Sequence, residues 1–237
     1  MIQIASQALP PTDDDRAGAL PAKQARSRRT RDQLLAAGYR LVEARDFEAV
    51  SIADIAKAAG CSVGAFYFRF ADKDAFFRAM IAHRLEEART SISELLETSD
   101  GGDPLDVLVA AIAETFRRRP GFLRAALRKS MEDPSVWEPM RAHGHFVADR
   151  YLDRLFRDAG RRPAKSVELR IRFAFQIMNG TLINALVNAP GPLHLDHPSL
   201  TGELVRAMRL VIAANATSNE SPDQPRKLAS ISRSKSA

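Results

Sequence analysis

Apolar side chains recur at helical spacing along most of this chain, and nothing resembles a run of alternating strands. Ile52, Ile55, Ala56 and Ala59 fall at i, i+3, i+4 and i+7, one face of a short helix. Ser51 precedes them and Asp54 follows it by three, the spacing of a capping box in which hydroxyl and carboxylate each satisfy a backbone N–H. Gly60 stands where the chain must leave the helix, a position that glycine fills without a Cβ penalty. Ser62 is placed to cap a second short helix over 62–68. Two short helices joined at Gly60-Cys61-Ser62 predict a helix-turn-helix, a motif whose second helix can enter a DNA major groove.

The stripe Leu34, Ala37, Gly38, Leu41 and Val42 predicts a preceding helix over 30–44. Asp72 is a good N-cap for a longer helix over 72–98, which Ser99-Asp100-Gly101-Gly102 ends. Further on, Asp103-Pro104 and Asp133-Pro134 pair a cap residue with Pro at the first helical position, and Pro198 serves the same way. They predict helices over 104–118, 121–131, 135–159, 165–188 and 198–215. The expected fold is all-α: an N-terminal three-helix helix-turn-helix domain over 26–80, joined by a long helix to a C-terminal helical domain over 81–215. Residues 1–25 are rich in Pro, Ala and Asp without a stripe, and 216–237 in Ser, Asn, Pro and Lys. Both are expected to be disordered tails.

The 237 residues are 45% hydrophobic, enough for a sizeable core, and carry a net charge of +6. A basic balance suits nucleic acid or an anionic membrane surface, and equally serves solubility alone. A single cysteine precludes an intrachain disulfide and fits a reducing cytosol. No apolar run approaches the roughly 20 residues of a membrane span, and 1–20 lacks the pattern of a signal peptide. The expected location is cytoplasmic, with no membrane partner. Lys23, Arg26, Arg28, Arg29 and Arg31 form a basic cluster just before the first helix, read as an arm that touches phosphates rather than a merely solvated tail.

Leu34, Leu35, Ala37, Leu41, Phe47, Ser51, Ile55, Ala56, Ala59 and Gly60 occur in an order that continues through Cys61-Ser62, Gly64, Phe66-Tyr67, Phe70 and Lys73. On these residues, 28–80 resembles the DNA-binding domain of the tetracycline-repressor-like (TetR) family of bacterial regulators. Two positions depart from the family pattern. Asp46 stands where the family usually has Gly, and Asp tolerates the left-handed conformation. Cys61 replaces a small β-branched residue and is read as a small buried hydrophobe.

Within 62–70, Phe66 and Phe70 lie four apart and are expected to pack inward. Ser62, Val63, Gly64, Ala65, Tyr67, Phe68 and Arg69 remain for the outer face. Gly64 and Ala65 let the helix backbone come near the groove floor, while Val63 or Ala65 suits a thymine methyl. Arg69 is the best candidate for a guanine or phosphate contact. The resemblance implies that Tyr67 and Lys73 contact phosphates, and Ser51 could touch the backbone besides capping its helix. Together with Arg28 and Arg29 these are the candidate DNA-binding residues. A single small module buries little DNA, so a homodimer on a palindromic operator is the mechanistic expectation.

The helix over 165–188 carries two stripes. One is Ile171, Phe175, Met178, Leu182 and Leu186; the other is Phe173, Ile177, Gly180, Thr181 and Asn184. The resemblance implies that the last two helices form a four-helix dimer interface. The second stripe, with Val205, Met208 and Ile212, is assigned to it. The resemblance also implies a cavity for a small-molecule effector. Phe116, Phe122, Met131, Trp137, Met140, Phe146, Phe175 and Met178 are its candidate lining, with ordinary core packing as the alternative. Arg117-Arg118-Arg119 is read as a solvated helix end, with attraction of an acidic ligand as the alternative. His143 and His145 diverge on a helix, and His194 and His197 lie in a Pro-rich connection, so no metal and no cofactor are expected.

No nucleophile elbow, P-loop or dinucleotide fingerprint occurs. The expected function is therefore a sequence-specific DNA-binding transcriptional regulator, a repressor released from its operator by a small molecule, and not an enzyme. A dimer that has lost DNA binding would lack the features around Gly64, Tyr67 and Lys73.

Overall fold

The computed structural model describes residues 13–99, 103–157, 160 and 162–214. Among them the chain forms nine α-helices and no strand: α1 (Asp13–Ala44), α2 (Ile52–Ala58), α3 (Val63–Tyr67), α4 (Lys73–Thr98), α5 (Leu105–Arg118), α6 (Pro120–Glu132), α7 (Glu138–Phe156), α8 (Lys165–Asn188) and α9 (Leu200–Ala213). Short 3-10 turns at Phe47–Ala49 and Pro134–Val136 lead into α2 and α7.

The caps act as their residue types require. The Ser51 hydroxyl accepts from the Asp54 N–H at 3.1 Å, and the Asp54 carboxylate accepts from the Ser51 N–H at 3.0 Å. Ser62 caps α3 through the Ala65 N–H at 3.2 Å, and Asp72 caps α4 through the Ala75 N–H at 2.6 Å. Gly60 lies at φ +67°, so the sharp exit from α2 suits a residue without Cβ. Asp46 is not left-handed: at φ −54° and ψ 132° it N-caps the first 3-10 turn, its carboxylate accepting from the Glu48 N–H at 3.2 Å. A side-chain cap replaces the glycine turn there.

Helix α1 begins at Asp13, far ahead of the expected start at Thr30. Thr30 does not cap: its hydroxyl bonds back to the Arg26 carbonyl at 3.0 Å, as a Thr inside a helix does. The expected disorder of 1–25 is thus overturned from Asp13 onward. The stretch lacks an amphipathic stripe, but its Ala and Leu residues favour helix without one. Residues 1–12 and 216–237 lie outside the described residues.

Two apolar cores organise the molecule. The first gathers Leu34, Leu35, Phe47, Ile55, Phe66, Phe70, Phe76, Phe77 and Met80 from the N-terminal helices. Phe66, Phe70 and Phe76 meet with ring centroids 5.0–5.4 Å apart, a geometry favourable beyond simple burial. This core continues into α6 through Phe122 and Leu123. The second gathers α4, α5, α7, α8 and α9 around Leu105, Leu108, Tyr151, Ile171, Phe175, Met178 and Met208. Helix α4 belongs to both cores.

Helix α6 is fastened to the N-terminal helices at both ends. The Glu43 carboxylate accepts from the Gly121 and Phe122 N–H groups at 2.8 and 3.1 Å, placing an anion at a helix N-terminus. At the other end Arg128 pairs with Asp46, and Lys129 with Asp74 at 3.0 Å and Glu48 at 3.3 Å. A Cβ at Gly121 would lie 2.4 Å from the Val42 carbonyl oxygen, so glycine is what lets α6 seat against α1.

Candidate nucleic-acid interface and effector cavity

The helix-turn-helix presents a compact outward surface. Ser62, Val63, Gly64, Tyr67 and Phe68 are exposed and Ala65 is half-buried, while Phe66 is fully buried beneath them. Tyr67 and Phe68 keep 54% and 78% of their surface accessible, unusual for large apolar groups and suited to a surface that meets a partner. The Tyr67 ring stands edge-on to Phe66 at 5.7 Å, so its direction is set by the core below. A Cβ on Gly64 would touch nothing closer than the Ser62 hydroxyl at 3.8 Å. Its smallness therefore serves the outer face and not internal packing.

Arg69 and Lys73 are held differently from the bare cations that the sequence suggests. The Arg69 guanidinium donates to the Ala65 carbonyl at 2.8 Å and, through Nε, to the Ser27 carbonyl at 3.4 Å. It braces α3 against α1, and reading a base would require it to leave both carbonyls. The Lys73 ammonium donates to the Glu48 carbonyl at 3.0 Å and lies 4.6 Å from the Phe47 ring centroid. Arg28 and Arg29 are exposed and belong to α1 itself rather than to a separate arm.

Behind this head, α4 to α8 line a partly open cavity of about 1580 Å³. Phe116, Phe122, Trp137, Met140, Phe175 and Met178 line it, as the sequence suggests. Met131 does not: it is 86% exposed on the last turn of α6. It stands nine residues from the inward-facing Phe122, half a revolution away at 3.6 residues per turn. Phe146 does not line the wall either; it stacks on His143 at 6.0 Å and lies under the Arg89 guanidinium at 5.6 Å. Arg84, which no motif marks, and Arg119, the last of the arginine run, also line the cavity. Arg117 and Arg118 bond to Glu114 at 2.8 and 2.5 Å, whereas Arg119, which lines the cavity beside Arg118, has no such partner. His143 also lines it, and burial followed by the charge of Arg89 pushes its imidazole down to about 4, so it is neutral near pH 7.

On the far side of α8, Phe173, Gly180, Thr181 and Asn184 form an exposed column with Ile177 half-buried beside them. Phe173 and Gly180 also border the cavity. Val205 and Met208 are only 4% and 1% exposed and belong to the chain's own second core, so the assignment of these two to a dimer face is corrected. A stripe marks a buried face without saying what covers it. Ile212 is half-buried, and α9 turns Arg206, Arg209 and Leu210 outward.

Among the described residues no three His, Cys, Asp or Glu side chains converge as a metal site, and no helix is long and apolar enough to cross a membrane.

Residues 34–80 match the family described as bacterial regulatory proteins, tetR family. Over 162 residues the chain is 28% identical to the HTH-type transcriptional regulator EthR of Mycolicibacterium smegmatis, covering 65% of this chain and 74% of that protein. The fold is similar to a tetR-family transcriptional regulator from Streptomyces coelicolor, at a TM-score of 0.63 and 20% identity over 80% of this chain and 86% of the other. It is also similar to Thermus thermophilus FadR, a TetR-family repressor solved in complex with lauroyl-CoA, at a TM-score of 0.55 and 22% identity over 77% and 93% of the two chains. With an exposed recognition helix on a capped helix-turn-helix, residues 34–80 form a DNA-binding domain of the tetR family of bacterial regulatory proteins, and the all-helical second half follows the fold of solved TetR-family regulators.

Proposed function

We propose that the chain is a homodimeric repressor that leaves a palindromic operator when a small molecule enters its cavity. The observation that carries this reading is the span of α4. Phe76 in its first turn packs on Phe66 of the recognition helix with ring centroids 5.3 Å apart, and its stretch from His83 to Leu95 supplies one wall of the cavity. A ligand that favours one position of α4 thereby favours one position of the head, which is the coupling that allostery requires. Helix α6 adds a second link, since Phe122 and Leu123 line the cavity while Glu43 of α1 holds its N-terminus.

In this reading Tyr67, Ser51, Arg28, Arg29 and Lys73 contact phosphates, and Val63, Gly64 and Ala65 come against the groove floor. Lys73 reaches a phosphate on releasing the Glu48 carbonyl. Ser62, Phe68 and Arg69 complete the surface. The exposed α8 column of Phe173, Ile177, Gly180, Thr181 and Asn184 meets its equivalent in a second copy, setting the spacing of two heads.

An electrophoretic shift on DNA upstream of the gene, at several salt concentrations, tests the proposal. Binding to one palindromic fragment is expected to exceed that to random DNA by about a thousandfold or more. Equal binding to both would overturn it. Tyr67→Ala is expected to weaken binding roughly ten- to a hundredfold without lowering the melting temperature, as loss of one hydrogen bond to a charged group would. Unchanged affinity would remove Tyr67 from the contact set.

A further inference from the structure

Where α4 passes α1 and the α5–α6 junction, the cavity wall carries cationic donors that the fold itself does not use. The other wall arginines are engaged: Arg118 with Glu114 at 2.5 Å, Arg141 with Glu138 at 2.6 Å, Arg172 with Asp149 at 2.6 Å, and Arg170 with the Ile212 carbonyl at 3.1 Å. The Arg119 guanidinium makes no hydrogen bond and no ion pair among the described residues, although the residue is half-buried. Arg84 spends Nη1 on Glu87 at 2.5 Å and rests 4.2 Å from the Tyr39 ring centroid, but its Nε–H is buried with no acceptor.

A buried donor without an acceptor is costly, and a half-buried cation beside another is costlier. Burial, then the nearby charge of Arg84, holds the Arg119 guanidinium below its ordinary value. The carboxylates that face the pair are already committed. Glu87 accepts from Arg84, and Glu43 accepts from the Gly121 and Phe122 amides. Tyr39, the remaining titratable neighbour, gives its hydroxyl hydrogen to the Met80 carbonyl at 2.7 Å. The acceptor that would satisfy Arg119 and Arg84 is therefore one that the chain does not supply. Away from these cations the wall is apolar, with Phe122, Leu123, Trp137, Met140, Phe175 and Met178.

We infer that the cavity takes an amphipathic anion, its apolar body among the aromatic and methionine side chains and its oxyanion head on Arg119, with the Arg84 Nε–H as second donor. The assignment rests on the reading of the cavity as the effector site and names the chemical class of that effector. It also places the ligand's charge on Arg119, whose guanidinium is electrostatically coupled to Glu43 and Tyr39 of α1, so that charge would be felt where the DNA-binding head is fastened.

Trp137 is the chain's single tryptophan and lines the cavity, so its fluorescence reports entry directly. The intact protein is titrated, below micelle-forming concentrations, with decanoate, decyl phosphate, 1-decanol and decyltrimethylammonium. The anions are expected to bind at least about tenfold more tightly than the alcohol, as charge-assisted hydrogen bonds require, and the cation more weakly than either. The two anions distinguish a carboxylate head from a phosphate head. Arg119→Met is expected to bring the anions to the affinity of the alcohol while leaving the alcohol unchanged, with Arg119→Lys restoring part of the difference. Equal affinity for all four probes, no response to any, or an unchanged anion affinity in Arg119→Met would overturn the inference. Should that variant not fold, the four-probe series on the natural chain still decides. Operator binding is measured separately. A chain that binds its operator yet shows no preference for anions overturns this inference alone, whereas loss of specific operator binding overturns the regulator reading.

Discussion

Ser51 shows how much one hydroxyl can do here. It closes a reciprocal cap at the start of α2, the helix on which the recognition helix rests. Ser51→Ala is expected to destabilise the protein by about 1 kcal/mol, visible as a melting temperature lower by roughly 2–4 °C. His143 gives a pH dependence with a definite sign. Burial and Arg89 hold it down at about 4 in the folded protein, against an ordinary value near 6.5. The unfolded chain therefore binds the proton first as pH falls. Stability from this residue is complete above about pH 6.5 and drains away between there and about pH 4. Melting curves across that range are expected to show the loss, and His143→Gln to flatten it; an identical slope in the variant would refute the assignment. Asp46, Asp54, Glu114 and Asp133 act in a lower window. Each is held below the usual carboxylate value by hydrogen bonds, so each contributes stability that is lost only as pH falls below about 4.

At the scale of elements, α6 decides how the head is held. Its apolar face enters the first core, its N-terminus sits on Glu43, and its last turn reaches Asp46, Glu48 and Asp74. Exposed ion pairs contribute little individually, so the close seat at Gly121 should matter more than any of them. Gly121→Ala is expected to cost roughly 1–3 kcal/mol, because the colliding atoms belong to the α1 backbone, which cannot yield as a side chain can. A denaturation midpoint unchanged within error would show that α6 moves aside. Such a variant also tests the coupling, since an unseated α6 should alter operator affinity in the shift assay even without ligand. The boundaries of most elements were legible beforehand. Ser62, Asp72 and Asp133 cap where their residue types suggested, and α8 spans the expected range. The start of α1 was not legible, because the stripe that marks it begins only at Leu34 and the helical residues upstream carry none.

At the scale of the whole molecule, two exposed surfaces stand apart. One is the recognition face around Tyr67 and Phe68; the other is the column on α8. A Cβ at Gly180 would meet nothing within 4 Å, so a large side chain there leaves the monomer's packing intact. If the α8 column forms the proposed dimer face, Gly180→Arg is expected to sediment as a folded monomer while the natural chain sediments as a dimer, with loss of tight binding to a palindrome. A dimer that survives the substitution would place the interface elsewhere. Effector binding should be less affected than operator binding, because the cavity lies among helices of a single chain even though Gly180 borders it.

What the sequence by itself determined is local. Caps, turns and helical stripes depend on residues within a few positions of one another, and they were enough to place the helix-turn-helix, to bury Phe66 and to leave Tyr67 outside. The tertiary structure alone decided which neighbour each stripe meets. Val205 and Met208 face their own chain's core, Met131 faces solvent, and Arg119, the last of three arginines in a row, faces a cavity while the two before it pair with Glu114. Helical periodicity fixes the relative angle of side chains about an axis but not the direction in which that axis presents them. That direction is set by packing between helices far apart in the chain.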